Sequence, residues 1–168
     1  MPASAWLWQY WHTIWLLPLL NTNQESPMPA TVLVVDDQPG LRQMVRFALQ
    51  LQGFVVIEAE DGVQALELLN RQQVSVLVTD WMMPNMDGLG LIRAVRQASW
   101  GETLPIIITS CFNDRTAKQV ARETGALTWL KKPFRMGEIQ LAVESALSTA
   151  PLAEHRATTP LPHEAGLD

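Results

Sequence analysis

Residues 74–88 read VSVLVTDWMMPNMDG, and the first half of this stretch decides the fold. Val74 to Thr79 is rich in β-branched residues and almost wholly apolar, the pattern of a strand buried on both faces. Strands of that kind belong to parallel sheets covered by helices on either side. Asp80 therefore emerges at the carboxyl tip of the strand, ahead of a loop shaped by Pro84 and Gly88. Asp87 precedes the helical-spaced apolar positions Leu89, Ile92 and Val95, where its carboxylate can cap a helix.

Outward from there, strand-like and helix-like patterns alternate. On the amino-terminal side, Thr31–Val35 is an apolar strand ending in Asp36 and Asp37, followed by Leu41, Met44, Val45 and Ala48 at helical spacing and by Gly53 as a stop. Phe54–Ala59 is a second strand, and Asp61 precedes a helix carrying Ala65, Leu66 and Leu69. On the carboxyl-terminal side, Leu104–Thr109 is the fourth strand and Ala117, Val120 and Ala121 mark a weakly apolar helix ending at Gly125. Leu127–Lys131 is a short fifth strand, before a fifth helix carrying Met136, Ile139, Val143, Ala146 and Leu147. Parallel strands need crossover connections, so this alternation predicts an α/β fold: a doubly wound five-stranded parallel sheet with helices on both faces. Ligands of such sheets bind beyond the carboxyl ends of the strands, where the strand order reverses.

Composition narrows the functions available. A chain of 168 residues, 48% of them hydrophobic, suits one domain of ordinary size with a real core. The formal charge of −5 provides no basic surface for phosphate backbones, which argues against direct nucleic-acid binding. The single cysteine, Cys111, cannot form an intrachain disulfide, and Cys/His pairs at zinc-ligand spacing are lacking; a reducing cytoplasmic setting fits. Residues 1–27 form a Trp-rich extension in which Ala5–Leu20 carries four tryptophans and no formal charge, yet has no basic region of a secretion signal and is short for a spanning helix. It reads as a poorly ordered leader, or an upstream start outside the native protein, in preference to a peripheral membrane anchor. Residues 28–148 hold the globular unit, and the proline-containing stretch 149–168 reads as a disordered tail.

The chemistry gathers at the strand ends: Asp36 and Asp37 after the first strand, Asp80 after the third, Thr109 and Ser110 at the fourth, Lys132 after the fifth. Two carboxylates about 5 Å apart repel by roughly 3 kcal/mol at an effective dielectric near 20, so three at one sheet edge call for a cation. Hard oxygen ligands suit Mg²⁺, which binds one or two carboxylates, keeps several waters and accepts a phosphate oxygen. With the Lys132 ammonium and the Thr109 hydroxyl alongside, the set describes a place where a phosphoryl group is received on a carboxylate. A calcium loop at Asn85–Gly88 fails, because taking Gly88 as its sixth position puts Met83 first and Ala94 twelfth, where acidic ligands are needed. The side chains of Met82, Met83 and Met86 read as packing, Trp81 and Trp100 as half-buried loop aromatics.

Four motifs at successive strand ends, VVDD (34–37), DWMMPNMDG (80–88), IIITS (106–110) and KKPF (131–134), resemble the receiver domain of bacterial two-component response regulators. EAEDGVQAL (58–66) together with DWMMPNMDGL is most similar to the stand-alone chemotaxis-type regulators. The resemblance covers residues 30 to 148 and implies the flavodoxin-like sheet with strand order 2-1-3-4-5. It implies that Asp80 is the phosphoacceptor, that Asp37 binds Mg²⁺ directly and Asp36 mainly through water, and that Asp80 and the Met82 backbone carbonyl complete the metal ligands. Lys132 matches the family lysine, aimed inward by a cis bond to Pro133, with Lys131 pointing elsewhere. Thr109 matches the switch hydroxyl. Trp129 takes the place of a switch aromatic that is usually Tyr or Phe.

The function implied is a single-domain response regulator that receives a phosphoryl group from a sensor histidine kinase. It would signal by phosphorylation-dependent binding of a downstream protein at the face of helix 4, strand 5 and helix 5, in chemotaxis or motility. It is a phosphoacceptor that assists its own phosphorylation and dephosphorylation rather than an enzyme with a separate substrate. The alternatives are an intermediate receiver in a phosphorelay and, ranked lower, a haloacid-dehalogenase-type phosphatase, whose first-strand aspartates are separated by one residue where Asp36 and Asp37 are adjacent. A pseudo-receiver is disfavoured by the intact set of Asp37, Asp80, Thr109 and Lys132.

Overall fold

The computed structural model describes residues 29–112 and 115–149. Five strands and five helices alternate: β1 (Thr31–Val35), α1 (Pro39–Gln50), β2 (Val55–Ala59), α2 (Gly62–Arg71), β3 (Val76–Asp80), α3 (Gly88–Gln97), β4 (Ile106–Ser110), α4 (Arg115–Glu123), β5 (Thr128–Lys131) and α5 (Met136–Thr149). The strands form one parallel sheet in the order β2-β1-β3-β4-β5, as the resemblance implied. The expectations for residues 1–27, and for the tail beyond Thr149, lie outside the described residues.

The period-two alternation of each strand divides the core. Val32, Val34, Val76, Val78 and Ile107 point to one face, where they pack with Val45, Ala48 and Leu49 of α1 and Ile139, Val143 and Ala146 of α5. Leu33, Val35, Leu77, Ile106 and Ile108 point to the other, against Ala65 and Leu69 of α2, Leu91, Ile92 and Val95 of α3, and Ala121 of α4. Each fully buried side chain of this size contributes about 1.5–3 kcal/mol relative to exposure, so the central strands form a rigid base for whatever sits at their tips. Among the described residues, α4 gives the buried core only Ala121, which leaves it the helix least tied to the sheet.

Local chemistry explains the boundaries. α1 begins at Pro39, whose missing amide hydrogen has no partner to lose there, and Gly53 takes the left-handed φ of 84° that turns the chain into β2. Asp61 and Asp87 cap α2 and α3, accepting the amide hydrogens of Gln64 at 2.9 Å and Gly90 at 2.7 Å. β3 and β4 each start two residues later than their apolar runs predict. Pro105 has no amide hydrogen to give the ladder, and the Ser75 hydroxyl accepts the Thr31 amide at 3.3 Å, so both lie at the edge of the pairing. No helix among the described residues is long and apolar enough to cross a membrane.

Candidate functional site

The strand register brings the predicted residues together at one sheet edge. Val35 pairs with Thr79, and Asp80 with Thr109, so the residues that follow or end β1, β3 and β4 lie side by side. The carboxylates of Asp36, Asp37 and Asp80 offer oxygens that all lie within 4.8 Å of one another. Lys132, one residue past β5, reaches into this cluster: its Nζ donates to Asp36 Oδ2 at 2.6 Å and to Asp80 Oδ2 at 2.8 Å. The Lys132–Pro133 bond is cis, as expected, and Lys131 is exposed.

Burial separates the three carboxylates. Asp36 and Asp80 are 3% and 6% exposed and Lys132 is 8% exposed, whereas Asp37 faces solvent. Both oxygens of Asp36 are engaged, Oδ1 by the Gln38 amide at 2.9 Å and Oδ2 by Lys132. Three carboxylates against one ammonium leave the cluster anionic. Burial pushes the Asp80 carboxyl above its ordinary range; Lys132 opposes this, the Asp36 charge adds to it, and the Met82 amide hydrogen pulls it back in part. Burial pulls the Lys132 ammonium down, but its hydrogen bonds to Asp36 and Asp80 win and it is held above its ordinary value. The two upward shifts are compatible because one ammonium is divided between two buried carboxylates. A divalent cation fits this donor set: it would take anionic oxygens from Asp37 and Asp80, with Asp36 already committed to Lys132.

Thr109 is buried, and its hydroxyl donates to the Thr79 carbonyl over 3.5 Å, a long and weak bond. Trp129 is half-buried on β5 and packs its ring against Trp81, with centroids 5.2 Å apart and planes tilted by 50°. Its buried indole Nε1 has no acceptor among the described residues. Trp81, Trp100, Met83 and Met86 pack against the α2–α4 side of the core as predicted, but the Met82 side chain is 56% exposed. Met82 lies two residues past the end of β3, in the loop, where its side chain faces solvent instead of the core.

Two further residues hold this region and were not singled out as site residues. Asn85 adopts a left-handed conformation with φ of 60°, and its Nδ2 donates to Asp61 Oδ2 at 2.6 Å. Asp61 thus binds the loop after Asp80 while capping α2. The local signals are present in sequence, an Asp three residues before Gln64 and an Asn after Pro84, but the bond between them spans 24 residues and has no local signature. The Gln64 amide hydrogen and then the Asn85 amide hold the Asp61 carboxyl below its ordinary value of 3.8, burial opposing them. A lowered folded value means that Asp61 stabilises the fold above the unfolded value, and that this is lost as pH falls through the folded one. Asp61→Ser, which keeps a capping hydroxyl, is therefore expected to be less stable than the parent at neutral pH, with the gap closing on acidification below about pH 4. Urea midpoints taken down the pH scale check this; a gap that widens in acid contradicts it.

Comparison with known proteins follows the same outline. The family model described as response regulator receiver domain matches residues 32–144. Response regulator MprA of Mycobacterium sp. (strain KMS) is 35% identical over 120 residues, which are 71% of this chain and 51% of that protein. Transcriptional regulatory protein GlrR of Escherichia coli (strain K12) is 32% identical over 132 residues, 78% of this chain and 29% of the relative. The chain thus spans about half the length of the mycobacterial protein and less of the other. The structure of chemotaxis response regulator CheY4 of Vibrio cholerae superposes with a TM-score of 0.68 at 34% identity, covering 71% of this chain and 99% of that one.

Proposed function

Because the chain belongs to the response regulator receiver domain family of two-component systems, we propose that it accepts a phosphoryl group on Asp80 from a phosphohistidine of a sensor histidine kinase. The observation that carries this reading is the Lys132 ammonium bridging Asp36 and Asp80 at 2.6 and 2.8 Å, beside the carboxylate of Asp37. Lys132 holds Asp80 Oδ2, so Oδ1 is the proposed attacking atom. A new bond forms from that oxygen to phosphorus as the bond from phosphorus to the donor nitrogen breaks, and the imidazole leaves with the electron pair. Mg²⁺, when bound, supplies the positive charge that offsets the equatorial phosphoryl oxygens. Asp37, Asp80 and the Met82 carbonyl are the proposed direct ligands, with Asp36 acting through water. The engagement of both Asp36 oxygens by protein groups supports that division.

The rest of the chain offers groups suited to reading the phosphoryl group out. The Thr109 hydroxyl gives up only a weak 3.5 Å bond if it turns to a phosphoryl oxygen. Trp129, on the strand beside it, lines a cavity of about 210 Å³ between α4 and β5 together with Lys118, Arg122 and Thr128. The shallow anchoring of α4 lets this side adjust at low cost, which supports the α4–β5–α5 face as the surface a downstream protein reads. The folded receiver unit is taken as residues 28–148, working in the cytoplasm. Signalling in chemotaxis or motility rests on the match along 99% of the Vibrio chemotaxis regulator, while relatives such as GlrR are transcriptional regulatory proteins.

The test is incubation with acetyl phosphate and Mg²⁺ followed by intact mass. One hydroxylamine-sensitive phosphoryl group is expected, lost when Mg²⁺ is chelated and lost in Asp37→Asn. Parent protein that gains nothing, or gains as much without Mg²⁺, rejects the reading.

A further inference from the structure

The loop from Trp81 to Asp87 carries the Met82 carbonyl that the proposed chemistry gives to the cation, and the Met82 backbone lies beside the Asp80 carboxylate. The Met82 side chain, 56% exposed, does little to anchor it. At the near end the loop is fixed to β4, where the Trp81 amide donates to the Thr109 carbonyl at 2.9 Å. At the far end it is held from a different element. Asp61, only 7% exposed and oriented by the Gln64 amide at 2.9 Å, presents its second oxygen to Asn85 Nδ2 at 2.6 Å. The neighbouring Gly62 amide donates to the Met86 carbonyl at 3.3 Å. The two segments touch so closely that a Cβ on Gly62 would lie 2.7 Å from Met86 Cγ and 2.9 Å from its carbonyl oxygen. Asn85 holds its left-handed φ of 60° at this contact, a conformation that asparagine tolerates better than other non-glycine residues.

We infer that Asp61 and Asn85 form a latch that sets the Met82 backbone for cation binding, so that Asp61 is a positioning residue for the metal although it lies outside the cluster of Asp36, Asp37 and Asp80. The inference rests on the metal reading above. The latch acts on the population of the binding-competent loop: breaking it leaves the three carboxylates in place but lowers the fraction of molecules whose Met82 carbonyl faces the site. The apparent Mg²⁺ Kd rises by the inverse of that fraction.

The experiment is a Mg²⁺ titration of the full chain, read by tryptophan fluorescence because Trp81 adjoins Asp80, in the parent and in Asp61→Ser, Asn85→Gly and the double variant. Ser keeps a capping hydroxyl but gives up the Asp61 charge, whereas Gly accepts the left-handed φ, so Asn85→Gly removes the bond with little else. The parent is expected to saturate. Each single variant weakens the Mg²⁺ Kd about five- to tenfold, Asn85→Gly with its metal-free urea midpoint nearly unchanged and Asp61→Ser while still folded but with the lower midpoint expected of the lost carboxylate, and the double variant is no weaker than either, because both substitutions break the same bond. Affinity equal to the parent's in the single variants, or losses that multiply in the double variant, overturns the latch while leaving the metal reading intact. A parent that shows no saturable response overturns both. Should Asp61→Ser fail to fold, Asn85→Gly carries the test, since it leaves the α2 cap untouched.

Discussion

Asp80→Asn is expected to abolish phosphoryl incorporation from acetyl phosphate while leaving the protein folded, and at least as stable as the parent without Mg²⁺. The carboxylate oxygen is the nucleophile in the proposed chemistry, and a carboxamide of the same shape cannot form the acyl phosphate, so the loss is complete rather than graded. Stability follows from the electrostatics. Burial raises the Asp80 carboxyl above its ordinary value, so the folded state binds its proton more tightly than the unfolded chain does. A raised carboxyl favours folding below the unfolded value, and the favour is lost as pH rises through the folded one, so at neutral pH the ionised Asp80 is a cost. The asparagine removes that cost, still offers an oxygen to Lys132, and leaves Lys132 its 2.6 Å bond to Asp36. Intact mass and urea denaturation together decide the matter. Incorporation in the variant equal to that of the parent places the acceptor elsewhere, and a variant that unfolds shows Asp80 to be structural.

Much of this was legible because the strands are fully buried and the reactive residues stand at their tips. A short β-branched run such as Val74–Thr79, bounded by a proline-containing loop, reads as a two-sided strand with Asp80 at its tip, and the observed register then sets Asp80 beside Thr109, one residue before the end of β4. The order in which the strands lie does not follow from the strand patterns themselves; it came from the four motifs taken together. What local patterns cannot carry is the pairing of distant side chains. The reading placed Lys132 near the carboxylates, but not its bond to Asp36, the shorter of its two. The Asp61–Asn85 bond joins two residues whose local roles, a helix cap and a loop turn, are each satisfied without the other. Methionine's apolar character makes Met82 read as packing, yet its place in the loop past β3 leaves the side chain 56% exposed. The contact of Trp129 with Trp81 belongs to the same class, formed across the sheet edge by two rings whose neighbours in sequence say nothing of each other.

Lys132→Met is expected to produce the largest loss of stability of any single change at the site, about 3–5 kcal/mol at neutral pH without Mg²⁺, the range seen when one partner of a buried ion pair is removed. Methionine preserves most of the apolar stem, so the loss isolates the charge. The Lys132 ammonium is held above its ordinary value by Asp36 and Asp80, so its contribution is fully present below the ordinary 10.5 and fades only as pH rises through the folded value; neutral pH sees all of it. Without it, Asp36 and Asp80, 3% and 6% exposed in the parent, are left with no cation between them. Two treatments then separate charge from packing. Mg²⁺ restores part of the lost stability in the variant by supplying positive charge to the same carboxylates, and more of it than it adds to the parent. Acidification also narrows the gap, because Asp80, already raised by burial, rises further once its cation is gone and is neutralised by a proton at higher pH than in the parent. Urea denaturation at neutral and mildly acidic pH, with and without Mg²⁺, reads both effects. A loss below about 1 kcal/mol, typical of an exposed pair, or one indifferent to Mg²⁺ and pH, means that the carboxylates are not a crowded buried cluster, and the electrostatic case for phosphoryl capture at Asp80 falls with it.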